Sequence, residues 1–243
     1  MCSRLASAHL TACFAALLAA APAAQADPLP GAEEMLAFFD GLVFGSDDPL
    51  TPAHERLGKW TGPIRLKLIG DGSIAYRPVV GEFAAELSAV TGLSIESVPR
   101  TASDTNLIVR FTSGHDMYRA GLKYEPDTEF LSRVVKRAAG TCYFLTYDWD
   151  NASIIYAVIV VNSDRSPERI GHCVLVSLVR VLGLRNGGTG ASPSIFEDGD
   201  GPAALSPLDE TLLRILYDPR LDVGLARERA LARAGAAIGG LDR

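Results

Sequence analysis

From Ile64 to Gly70 the chain alternates apolar and basic residues, IRLKLIG, with Ile64, Leu66 and Leu68 on one face. That period of two predicts a strand with one solvated face. The period then lengthens in RPVVGEFAAELSAVTGL, where Phe83, Leu87 and Val90 recur at helical spacing. Pro78 suits the first turn and Gly92 the stop. SIESV and NLIVRF return to the strand pattern, and DTEFLSRVVKR to a short helix. The clearest β signal follows: CYFLTYDW, a turn at Asp150-Asn151, then SIIYAVIVVN. The second run is apolar on both faces, which predicts a hairpin whose second strand lies well inside the sheet.

Ser166-Pro167-Glu168 reads as an N-cap, a first-turn proline and an acid. The helix it opens is predicted to run to Leu184, stopped by Asn186-Gly187-Gly188. A glycine-rich loop covers 185–205, and Ser206 caps a last core helix, LDETLLRILY. Upstream, GAEEMLAFFDGLVF predicts a short helix packed as a satellite. The Ala/Arg-rich stretch from Val223 predicts a loosely packed helix.

This order does not alternate strand and helix through its second half, so a doubly wound fold is excluded. It predicts an α+β fold: a mixed twisted sheet with one helix in the N-terminal half, a long capped helix and a C-terminal helix. The divisions expected are a signal peptide over 1–26, a helix and linker over 27–58, the main domain over 59–225 and a tail over 226–243. Neither repeats nor a second domain are apparent.

The opening 26 residues read differently. Arg4 is their one charge, an apolar run surrounds Phe14–Ala20, and Ala24-Gln25-Ala26 is a small-x-small cleavage site. That predicts export to the periplasm or beyond. LTAC at Leu10–Cys13 offers the alternative of a lipoprotein anchored at Cys13. Cleavage after Ala26 leaves 22 basic against 29 acidic side chains, a charge of −7. An acidic chain without a basic run argues against nucleic acid. No later apolar run approaches about 20 residues, so no membrane span is expected in the mature chain. Cys142 and Cys173 remain, an even pair in an exported chain, and a disulfide is predicted. Two cysteines alone cannot make a structural zinc site.

The helix CVLVSLVRVLGLRN, Cys173–Asn186, has the closing Gly-Leu of the zinc-protease helix H-E-x-x-H-x-x-G-L. Aligned on Gly183-Leu184, the two His slots are Val176 and Arg180 and the Glu slot is Ser177. The element order resembles that of zincin metalloproteases of the metzincin type. SPSIF (Ser192–Phe196) followed by LSPLDETLLRILYDP is similar to their methionine turn and last helix, with Ile195-Phe196 in place of Met-Tyr. A closer resemblance is to a bacterial exported family, domain of unknown function 2927 (DUF2927). It is carried by KWTGPIRLKL, the Cys before the apolar helix, LGL, PSIF and LDETLLRILYDPRLDVGL. The resemblance implies two acids and a Gln in the slots that here hold Val176, Ser177 and Arg180. It therefore implies a frame without a zinc pair.

Catalytic zinc needs three protein ligands. The mature chain has His54, His115 and His172, and the i+4 partner of His172 is Val176, so the helix offers one imidazole. No metal, cofactor or catalytic residue is expected. Ser177 lacks a G-x-S-x-G elbow. SGHD at Ser113–Asp116 is too local for a triad and reads as a turn. EDGDG at Glu197–Gly201 lacks the register of a calcium loop.

The candidate binding residues are Arg180, Ser177 and His172. Arg180 either takes an anionic group such as a peptide carboxylate or clamps the loop through Glu197, Asp198, Asp200 or Asp209. The functional expectation is an inactive zincin-like domain that binds or scaffolds a periplasmic or envelope protein or peptide. The alternative is a metal-dependent peptidase or hydrolase using His172 and His115.

Overall fold

The hairpin is the spine of the sheet. In the computed structural model, which describes residues 29–46, 53–138, 140–150, 152–187, 193–196 and 203–240, its strands are β5 (Cys142–Trp149) and β6 (Ser153–Asn162). The other strands are β1 (Lys59–Trp60), β2 (Ile64–Gly70), β3 (Ile95–Ser97) and β4 (Leu107–Thr112). The order is β5-β6-β4-β2-β3, with β1 beside the start of β6. Only β5 is antiparallel to its neighbour. β6 is buried from Ala157 to Asn162, as its two-faced apolar run predicts, while Ile155 near its start is exposed. The architecture is α+β with a mixed sheet.

One face of the sheet carries the main core. Leu66, Leu107, Val109, Ala157 and Ile159 of the strands meet α2 (Arg77–Thr91), α5 (Pro167–Val181) and α6 (Pro207–Leu216). The second face is covered by α3 (Met117–Gly121) and α4 (Thr128–Arg137), which bury Met117, Ala120 and Leu131 on Tyr143, Val158 and Val160. α3 was not legible beforehand; α4 was, and Asp127 caps it by accepting from Glu129 N and Phe130 N.

Four expectations change. The opening helix, α1 (Ala32–Phe44), is no satellite: Phe38, Phe39, Leu42 and Phe44 belong to the main core. The Ala/Arg-rich stretch forms α7 (Arg227–Ile238), which is not loosely packed. Its Ala230, Ala234 and Ile238 are buried and it lies against α1, with Arg227 paired to Asp40. The long helix α5 ends at Val181, before Leu184, because the chain breaks at Gly183 rather than at Asn186. The second face of β2 is also not simply solvated, since Arg65 is half-buried there between Glu96 and Asp104.

The predicted leader, Cys13, Asn151 and most of the 185–205 loop, with Glu197, Asp198 and Asp200, lie outside the described residues. Among the described residues no helix is long and apolar enough to cross a membrane.

Candidate functional site

The candidate face of α5 is positioned by the caps of the helix. Ser166 accepts from Arg169 N, Pro167 occupies the first turn, and Ile170, Val174 and Leu178 sink into the core. At the other end Gly183 has φ 129°, and a Cβ there would lie 2.5 Å from Gly58 O. The glycine shared with the zinc-helix pattern is thus required by a chain crossing, not by chemistry.

That crossing gives the Lys59-Trp60 pair its role. Trp60 Nε1 donates to Val181 O at 2.8 Å and Tyr217 Oη donates to Leu182 O at 2.7 Å. Lys59 Nζ donates to Leu216 O at 3.0 Å and lies 5.3 Å from the centre of the Tyr217 ring. Three side-chain donors therefore satisfy three of the orphan carbonyls at the ends of α5 and α6. Burial pushes the Lys59 amine down, against the pull of Asp222 and Asp218. Burial also pushes the Tyr217 phenol up.

The candidate residues follow one another along α5 from His172 to Arg180. Val176 is half-buried and packs on the core. Ser177 is buried, with Oγ 3.4 Å from Cys142 Sγ. The Cys142–Cys173 disulfide is present, with Cα atoms 6.2 Å apart, and it joins the first residue of β5 to α5.

Arg180 is half-buried between two rings, its Cζ 5.9 Å from the centre of Phe144 and 5.8 Å from that of Phe196. Asp209 is engaged elsewhere: it accepts from Ser194 Oγ at 2.6 Å, Ile195 N at 3.1 Å and Ser206 N at 2.8 Å. Asp209 thus holds Ser194 and Ile195, and the next residue, Phe196, presents its ring to Arg180.

His172 is half-buried on α5. His115 is exposed in a 3-10 turn whose Ser113 accepts from Asp116 N, so SGHD is a turn. Among the described residues, no three of His, Cys, Asp or Glu are grouped as metal ligands.

A polar assembly not foreseen from sequence lies at the start of β1. Arg185 meets Asp148 of β5 at 2.9 Å, both largely buried, and its guanidinium covers Gly58. Burial first, then Arg185, lowers the basicity of His54 in this neighbourhood, and Asp148 partly opposes them. The one available signal was a charged residue directly after the apolar Gly183-Leu184.

No curated protein and no solved structure matches the chain. One family model does, over residues 32–234, a span from the start of α1 into α7 that includes every strand and α5. The chain therefore belongs to DUF2927, a family of proteins of unknown function.

Proposed function

We propose that this is a non-catalytic zincin-like domain, exported to the periplasm or beyond, that scaffolds or binds an envelope protein or peptide. The observation that carries the reading is the seating of Arg180 between Phe144 and Phe196, where a zinc-protease helix would present its second imidazole. An arginine held by two rings is a cation and cannot ligate zinc. The Glu slot, Ser177, faces the disulfide and has no carboxylate to activate a water. The element order favours the zincin frame: strand, helix, strands ending in a hairpin, capped helix, last helix. The disulfide favours an oxidising compartment. On this reading the face of α5 is a structural joint, and binding belongs to other surfaces.

Elemental analysis of dialysed protein, together with digestion of a peptide library, tests it. Substoichiometric zinc and no cleavage are expected. One zinc per chain, lost on His172→Ala or His115→Ala, would overturn the proposal in favour of a metal-dependent hydrolase.

A further inference from the structure

The sheet face opposite α5 carries three basic strand residues, and two of them have partners. Arg65 pairs with Glu96 at 2.8 Å and Asp104 at 2.9 Å, and Lys67 donates Nζ to Ala102 O. Arg110 of β4 is different. Among the described residues it forms no ion pair, and its Nε is buried without a hydrogen-bond acceptor. Arg110 lines a cavity of about 210 Å³ with Thr112, Asp116, Arg119, Ala120 and Lys123.

Three cations and one carboxylate line this cavity, a local surplus of two positive charges in a chain of net charge −6. The carboxylate is already engaged: Asp116 takes a hydrogen bond from Ser113 Oγ at 3.1 Å and lies 3.4 Å from Arg119. We infer that the cavity is an oxyanion site that takes a phosphate group. This inference is independent of the reading of α5.

A half-buried guanidinium without a counterion is destabilising, and a bound anion relieves it. Guanidinium donors match phosphate oxygens in pairs, and a lysine adds a point charge. A phosphate monoester carries close to two negative charges near pH 7, which balances the surplus. The volume is below the roughly 300 Å³ at which drug-sized ligand pockets begin. It therefore suits inorganic phosphate or a terminal phosphate better than a nucleotide or peptide. Arg119 and Lys123 are exposed and form the rim, where they would draw the anion in.

The test is thermal unfolding in sodium phosphate against sodium chloride at equal ionic strength. Phosphate should raise the midpoint saturably beyond chloride. The exposed double variant Arg119→Gln/Lys123→Gln should weaken the response about tenfold. Arg110→Met should abolish it, with a midpoint in chloride at or above that of the unmodified protein, because an uncompensated cation has gone. Coincident phosphate and chloride curves would overturn the site, as would a phosphate response unchanged in these variants. Co-sedimentation with phosphatidic acid vesicles, against phosphatidylcholine vesicles, identifies the source. Binding lost in Arg110→Met assigns a lipid headgroup. A phosphate response without vesicle binding assigns a soluble phosphate.

Discussion

Arg185 forks onto Asp148, its Nη2 2.9 Å from Oδ2 and 3.1 Å from Oδ1, and the same guanidinium roofs Gly58. A Cβ at Gly58 would lie 2.4 Å from that Nη2. Asp148→Asn leaves a buried guanidinium short of its counterion and should cost about 2–4 kcal/mol in urea unfolding. Gly58→Ala should destabilise by displacing Arg185 from Asp148. Its cost should shrink in an Arg185→Ala background, a coupling that a double-mutant cycle reads directly. Additive effects would separate the glycine from the ion pair.

His54 gives the same region a pH dependence. Its folded pKa lies below the ordinary 6.5, so the unfolded chain binds its proton more readily. The stability linked to His54 is complete above about pH 6.5 and is lost as pH falls toward and through the lowered folded value. Urea midpoints at pH 7.5, 6.5 and 5.5 should therefore fall more steeply for the unmodified chain than for His54→Gln.

The disulfide spans 31 residues. Closing a loop of that length contributes roughly 3–4 kcal/mol by restricting the unfolded chain. Cys142→Ala/Cys173→Ala should lose about that much, and thiol titration of unfolded, unreduced protein should detect neither cysteine.

Arg180→Ala removes two ring contacts and the packing of a long stem. A loss of about 1–3 kcal/mol is expected, with faster proteolysis in the 185–205 loop as Phe196 loses its partner. Arg180→Met keeps the stem and should be milder on both measures.

The elements set by short-range pattern were legible: the two-faced run of β6, the Pro78 and Gly92 brackets of α2, and the Ser206 cap of α6, which closes a full capping box with Asp209. What escaped depends on distant partners. α1 shows an apolar face but not what covers it, and its cover, α7, hides its burial in alanines at positions 230, 234 and 237. Small side chains register weakly as hydrophobic yet let helices approach closely. Lys59 escaped for a related reason. A lysine in a strand reads as solvated unless the carbonyl and ring that receive it, at Leu216 and Tyr217, are known. At the candidate face, Val176, Ser177 and Arg180 could be singled out in the sequence. The two rings around Arg180 could not be, because Phe144 of β5 and Phe196 meet α5 only in the folded chain.

The contact between α1 and α7 also sets a timetable for the newborn chain. Synthesis runs from the N-terminus, and Arg227 follows its partner Asp40 by 187 residues. At roughly 5–20 residues per second that interval is about 10–40 s. Throughout it, α1 has emerged while the helix packed against it has not. Until α7 has been made, the apolar face of α1 lacks that cover, so this joint closes late in the making of the fold.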